Sequence, residues 1–473
     1  MVRDRGDTKT PLRSTVASMH QERASTPWFP TTAAPTAAKG SRFTMSHSSD
    51  FRADAEWVRT QDDGDPLRGF RNEFLIPPHA GGGQTYLVGN SLGLQPRGVR
   101  QALLDELDDW ARLGVEGHLH ARHPWLPYHA EVREGLAEVV GAEPVEVVAM
   151  NSLTVNLHLL MVSFYRPTPA RHGILIERHA FPSDRDLAAS QIRFHGYDPN
   201  EALIEADADE ARGTLSMEAI ERVLAQHGKR IALVLLPAVQ YLTGQSFDLA
   251  AITKLAHAQG CLVGFDCAHA AGNIDLRLHD SGCDFAAWCS YKYLNAGPGA
   301  VAGAFVHARH ARETLPRFEG WWGRNEATRF EMRPEFDATP GADGWQLSNP
   351  PILALAPLRV SLDVFHRADM FRLREKSRQL TGYLEWLIES QLHDTLEILT
   401  PVEPVRRGAQ LSVRVRAGRD AGKSLFEHLV AHGILGDWRE PDVMRIAPTP
   451  LYNTFADCLR YADAVKAWRA LIP

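Results

Sequence analysis

Asp266 and Lys292 each close a short apolar run in the segment GFDCAHAAGNIDLRLHDSGCDFAAWCSYKYLNAGPG. A carboxylate and an amine delivered by successive strands suit pyridoxal phosphate. The lysine forms a Schiff base, and the acid keeps the pyridine nitrogen protonated. Lysine is scarce in this chain, with eight residues against 43 arginines. A lysine retained among Trp288, Tyr291 and Tyr293 therefore invites a chemical explanation, because arginine never releases the proton that imine formation requires. Each residue also has a plain reading. Asp266 would cap a helix starting near Ala268, and Lys292 would be a solvated lysine beside two tyrosines.

Other residues extend the same chemistry. His269 follows Asp266 on one turn, and Gly297-Pro298-Gly299 after the lysine permits close backbone approach or a simple turn. A phosphate needs a cradle. Asn151 and Thr154 precede the apolar stretch LHLLMVSF, where hydroxyls and free N–H groups at a helix start would meet an anion or act as ordinary caps. Phe181, in FPSD after another strand, would stack on a planar ring or belong to the core. Arg445, in MRIAPTPLYN, would grip a carboxylate in bidentate fashion or form a surface ion pair.

The elements that must position these residues are legible in the periodicity. Residues 99–113 place apolar side chains at three- and four-residue intervals, which predicts an amphipathic helix, and a second should cover 129–140 and stop at Gly141. Short apolar runs then alternate with helical stretches: strands at 173–177, 231–236, 261–266, 285–289 and 303–306, and helices at 181–194 and 249–259. Such alternation predicts a mostly parallel sheet with helices on both faces. Ligands of such sheets collect at the carboxyl ends of the strands, where Asp266 and Lys292 fall. After residue 350 a long helix (357–365, continued through 370–392) leads to a smaller α/β unit with strands at 410–415 and 444–446 and a helix at 424–432. The expected organisation is an extension over 1–44, an N-terminal segment over 45–110, a large domain over 111–350 and a small domain over 351–473.

Bulk properties narrow the class. A chain of 473 residues with 44% hydrophobic and 23% charged residues has the composition of a soluble globular protein. Net charge of −7 without a basic block argues against nucleic acid as a partner, and no apolar run is long enough to span a membrane. Five cysteines without paired CxxC spacing read as buried thiols of a cytoplasmic protein. Residues 1–44 are rich in Ser, Thr, Ala, Pro and Arg and poor in large apolar side chains, so they are expected to be disordered. Asp4, Asp7 and Glu22 count against a transit peptide, and Met45 is expected to be the functional start.

The motifs taken together resemble the kynureninase family of fold-type-I pyridoxal phosphate enzymes. They are YLVGNSLGLQP (86–96), MNSLTVNLHLLM (150–161), FPSD (181–184), VQYLTGQ (239–245), GFDCAHAAGN (264–273), WCSYKYLNAGPG (288–299), SNPPIL (348–353) and RIAPTPLYN (445–453), so they cover nearly the whole chain after the extension. The resemblance implies an aspartate aminotransferase-like large domain with a seven-stranded, mostly parallel sheet, a smaller α/β C-terminal domain, and a homodimer with shared sites. It implies Lys292 as the Schiff-base lysine, Asp266 as partner of the pyridine nitrogen, and Phe181 stacked on the ring with Pro182, Ser183, Asp184 and His269 around it. Leu153, Thr154 and Tyr291 would bind phosphate, with Tyr291 also a proton relay. Trp321 and Asn349 would close the site, Ser91, His118 and Asn349 would lie near the substrate's aromatic ring, and Arg445 would bind its carboxylate. No metal is implied.

The reaction so implied is hydrolysis of L-kynurenine or 3-hydroxy-L-kynurenine to L-alanine and anthranilate or 3-hydroxyanthranilate, within tryptophan catabolism and NAD biosynthesis. Polar His118 and Asn349 favour acceptance of the 3-hydroxyl. Two positions depart from the family pattern: Pro237 stands where many relatives carry a small hydroxyl residue, and Arg324 where histidine is common. Rival readings are a cysteine desulfurase or class V aminotransferase, and a cofactor-binding regulatory protein. A desulfurase needs a reactive cysteine on a mobile loop, whereas Cys261, Cys267 and Cys289 fall in or beside strands.

Overall fold

A computed structural model of the chain describes residues 50–80, 82–209 and 212–471. Met45 and the extension over 1–44 lie outside the described residues. The central sheet has seven strands: β1 (Val147–Ala149), β2 (Gly173–Glu177), β3 (Leu203–Ala206), β4 (Ile231–Pro237), β5 (Leu262–Asp266), β6 (Phe285–Trp288) and β7 (Gly303–Val306). Their spatial order is β1-β7-β6-β5-β4-β2-β3. Pairing is parallel except for β7, which runs antiparallel to both β6 and β1. The expected mostly parallel α/β sheet is what the chain forms.

Successive side chains of a strand point to opposite faces, and the core divides accordingly. Leu175, Val234, Leu236, Val263 and Phe265 belong to one buried cluster, and Ile174, Ile176, Leu233 and Leu235 to another. Both faces are covered, which is why the strands read as continuous apolar runs instead of alternating ones. Helices α1 (Gly98–Leu113), α2 (Leu153–Phe164), α3 (Pro182–Phe194) and α4 (Leu249–Ala258) lie close to the predicted spans. The predicted 129–140 helix is two pieces, Tyr128–Glu131 and Arg133–Val140, ended by left-handed Gly141. Likewise the long helix is two, α5 (Ile352–Ala368) and α6 (Met370–Gln391), because Asp369 adopts φ 70° between them and caps the second through Arg372 N–H.

A four-stranded antiparallel sheet follows, in the order β8 (Leu396–Ile398), β9 (Leu411–Val415), β11 (Val443–Ile446), β10 (Asp437–Arg439). Its core draws Leu380, Leu384, Leu387, Leu411 and Val413 together with Val58 and Leu87 from the N-terminal segment. Leu355 to Leu373 pack instead in the core of the central sheet. The N-terminal segment is tied in by pairing: Thr85–Tyr86 runs parallel with Ile434–Leu435, and Val88 bridges Ala447. No helix among the described residues is long and apolar enough to cross a membrane.

Candidate active site

A cavity of about 340 Å³ opens at the carboxyl ends of the central strands, lined by Asp266, His269, Tyr291 and Lys292 among others. β5 delivers Asp266 between Pro237 of β4 and Ala287 of β6. One oxygen of Asp266 accepts the Ala268 N–H at 2.7 Å, but residues 268–273 form turns and no helix, so the expected helix-capping alternative is not what the chain forms; the carboxylate also faces the cavity. Lys292 follows β6, and its Nζ lies 3.0 Å from His269 Nε2. Burial, with the charges of Lys292, Arg445 and Arg439, holds the His269 ring well below the usual imidazole range. His269 is therefore neutral at physiological pH, and its Nε2 is the hydrogen-bond partner of the Lys292 side-chain nitrogen.

The lysine loop is fixed by its own backbone and by the segment around Gly93. Asn295 takes a left-handed φ of 54° and donates from Nδ2 to the Tyr293 carbonyl at 2.7 Å. Gly93 N–H donates to the Tyr291 carbonyl at 2.8 Å. A Cβ on Gly93 would meet the Lys292 carbonyl oxygen at 2.4 Å and the Asn295 Cα at 2.8 Å. Gly93→Ala must therefore displace the loop that carries Lys292. We expect it to cost about 1–3 kcal/mol, the range of core overpacking, read as a lower urea midpoint; an unchanged midpoint would mean that the loop yields freely.

At the other end of the cavity, β1 turns into α2. Asn156 makes that turn by donating to the Met150 carbonyl at 2.9 Å and accepting from Asn151 at 3.0 Å, while Asn151 adopts φ 47°. The Ser152 side chain does not cap α2, so the first N–H groups of the helix, at Leu153 and Thr154, point outward without an intrahelical partner. Thr154 Oγ1 lies 2.8 Å from Ser183 Oγ, joining α2 to α3. Phe181, 42% exposed, lies edge-on to Tyr241 with ring centroids 5.2 Å apart.

Three buried carboxylates share the cavity wall: Glu177, Asp184 and Asp266. Burial, then the charge of Asp266, pushes Asp184 well above the usual carboxyl range, and Asp184 is hydrogen-bonded to Asp266. Burial pushes Glu177 up to about 7, with the Gln240 amide opposing and Asp266 adding. The folded chain holds the Glu177 proton more tightly than the unfolded chain, whose value is near 4.5. Its favourable contribution is complete below the unfolded value and is lost as pH rises through about 7. We expect the melting midpoint of the cofactor-free protein to fall over that interval and Glu177→Gln to flatten the fall; an unaltered slope would assign it to other groups.

Arg445 comes from β11, opposite Ser412 and Asp437. It is buried, ion-paired through Nη2 with Asp437, and donates from Nη1 to the Tyr241 carbonyl at 2.8 Å. Arg439 lines the same wall and contacts Asp437 at 2.9 Å. The surface ion pair expected as the alternative for Arg445 is thus a buried one.

The cavity brings together Ser91, Leu153, Thr154, Phe181, Ser183, Asp184, Asp266, His269, Tyr291, Lys292 and Arg445. Pro182 opens α3 beside them. His118, Trp321 and Asn349 lie outside the lining: His118 packs edge-on to Trp125, Trp321 is 40% exposed and contacts Phe330, and Asn349 is exposed. Pro237 lines the cavity. Arg324 instead donates to the Arg333 and Glu335 carbonyls at 3.0 and 2.8 Å, pinning its own loop. Sequence reading missed Asn90, Glu177, Tyr241 and Arg439 in the lining. Glu177 carried the same signal as Asp266, an acid closing an apolar strand, and Tyr241 stood inside a motif already noted.

Comparison with known proteins gives the ancestry. The family model described as the kynureninase C-terminal domain matches residues 373–465, and that of the DegT/DnrJ/EryC1/StrS aminotransferase family matches 125–282. Among solved structures, a cysteine desulfurase from Escherichia coli superposes with a TM-score of 0.68 at 17% identity, over 86% of this chain and 99% of that one. Another from Thermococcus onnurineus gives 0.67 at 16%, over 88% and 98%. These establish the fold. Kynureninases from Xanthomonas euvesicatoria (409 residues, 86% of this chain, 97% of the relative) and Stenotrophomonas maltophilia (411 residues, 87% and 97%) are each 62% identical to it. With such identity across nearly the whole of those relatives, the chain belongs to the kynureninase family.

Proposed function

We infer that this chain is a pyridoxal phosphate-dependent hydrolase that splits the Cβ–Cγ bond of L-kynurenine or its 3-hydroxy form, releasing L-alanine and the anthranilate. The observation that carries the reaction is the 62% identity to proteins named kynureninase over 97% of their length. The cofactor rests also on the cavity. Three buried carboxylates at one end leave room for a further cation, which a protonated ring nitrogen would supply, and uncapped N–H groups with two hydroxyls at the other end suit a phosphate.

In this reading Lys292 holds the cofactor and Asp266 its ring nitrogen, with Asp184 protonated and donating to Asp266. Phe181 covers the ring. Leu153 and Thr154 N–H groups, the Thr154 and Ser183 hydroxyls and the Tyr291 hydroxyl hold the phosphate. When bound, pyridoxal phosphate supplies the electron sink for α-proton removal and for carbon–carbon cleavage. Lys292 moves the α-proton. Its hydrogen-bond partner is a neutral imidazole, not a carboxylate that would lock it as an ammonium. Burial pushes the Tyr291 hydroxyl above its ordinary value, keeping it a donor for proton relay. Arg445 orients the substrate through its carboxylate, so that the Cβ–Cγ bond is the one aligned to break.

The same reading makes the active form a homodimer. Exposed Phe318, Trp321, Phe330 and Met332 provide an apolar surface that a second copy would cover, bringing His118, Trp321 and Asn349 to a shared site. Five free, buried cysteines support a cytoplasmic setting. Fluorescent anthranilate formed from L-kynurenine by the cofactor-loaded protein tests the reaction; sulfide from cysteine without anthranilate would replace it with the desulfurase reading.

A further inference from the structure

We propose that Glu146, His279 and His307 form a transition-metal site of the zinc class at the sheet edge opposite the active-site cavity. Glu146 immediately precedes β1, and His307 immediately follows the antiparallel β7. Since Phe305 of β7 pairs with Val147 of β1, both residues sit at the amino ends of the parallel strands. Asp266 and Lys292 lie at the carboxyl ends.

Glu146 is fully buried. Its Oε2 accepts Glu143 N–H at 2.9 Å and its Oε1 accepts Ala308 N–H at 2.7 Å. Two imidazoles aim at the same Oε1: His279 Nδ1 at 2.9 Å and His307 Nδ1 at 3.6 Å. Their rings lie 5.0 Å apart and within 28° of parallel. His307 Nδ1 receives the Arg309 N–H at 3.2 Å, a contact that a metal bound at that nitrogen would replace.

The dimensions suit zinc. Bonds of about 2.0–2.1 Å in tetrahedral geometry set ligand atoms about 3.3 Å apart, and the observed 2.9 and 3.6 Å bracket that value. The donor atoms all lie within 4.8 Å of one another. Two imidazoles and a carboxylate select zinc, nickel or cobalt over calcium and magnesium, which take oxygen. The Glu143 and Ala308 N–H groups orient the carboxylate as outer-sphere partners do. His279 is 37% exposed at its side chain, giving solvent a path to the fourth position. Bound metal would tie together the segments before β1, before β6 and after β7.

Chelator-treated, cofactor-loaded full chain titrated with zinc chloride tests this by calorimetry, with cobalt(II) visible spectra as a second readout. We expect one zinc equivalent that raises the melting midpoint. His279→Ala and His307→Ala should each weaken it by more than about 100-fold, beyond the loss of an outer-sphere partner, with kynurenine turnover in chelator unchanged. His428→Ala removes one of another imidazole pair, whose rings lie 4.1 Å apart, and should leave the zinc equivalent intact. If His307→Ala fails to fold, the more exposed His279→Ala decides. No zinc equivalent in the parent, wild-type affinity in His279→Ala, or its loss in His428→Ala would overturn the site.

Discussion

Lys292→Ala is expected to abolish the visible absorption of the bound cofactor and to lower kynurenine turnover by at least about 10³-fold, the scale of a lost acid–base group combined with a lost covalent anchor. The reason is one of chemical type. Among the described residues lining the cavity, the other cationic side chains are Arg439 and Arg445, which cannot form an imine. Lys292→Arg provides the control, because it retains an N–H donor beside His269 yet should lose the band as well. The side chain is partly exposed, so neither change should unfold the protein. Absorption spectra and anthranilate fluorescence on the same samples decide the matter. A surviving band with surviving turnover would remove Lys292 from the chemistry.

Arg445→Ala should leave cofactor absorption in place while kcat/KM falls by about 10²–10³-fold, as truncation of a buried charge-paired contact does. Arg445 already joins the Tyr241 carbonyl to Asp437, so a substrate carboxylate must share or displace one of these contacts. Removing the guanidinium also strands Asp437, only partly compensated by Arg439. The double variant R445A/D437N separates the two effects. If stability recovers and kcat/KM does not, Arg445 orients substrate; if both recover, its role is structural support of the wall.

The fold was legible wherever apolar runs were continuous. β2, β4, β5, β6 and β7 emerged within a residue or so because each is buried on both faces. β3 (LIEA) did not, being mostly half-buried and interrupted by Glu205, nor did β1, β8 and β10, since three-residue strands carry too little periodicity and β10 reads as the polar Asp-Trp-Arg. That omission is why Arg439 was missed. The break at Asp369 was also invisible, because a left-handed non-glycine residue leaves no mark on helical spacing. The lysine and acid were found as strand ends. Ser91, which lines the cavity from outside any helix or strand, was reached by resemblance, and burial could not have indicated it; His118, reached the same way, lies on the short helix Gly117–His120 outside the lining.

The pairing of Thr85–Tyr86 with Ile434–Leu435 has a consequence for synthesis. Residues near the start of the described chain wait for a strand made near its end, so this ladder has very high contact order. The cofactor cradle, complete by Lys292, leaves the ribosome well before β11 brings Arg445 to it. At about 5–20 residues per second, the nascent chain spends many seconds with that cradle formed in sequence but lacking the cavity wall of Arg439 and Arg445. Until Ile434 and Leu435 are made, Thr85 and Tyr86 stay without their parallel partner.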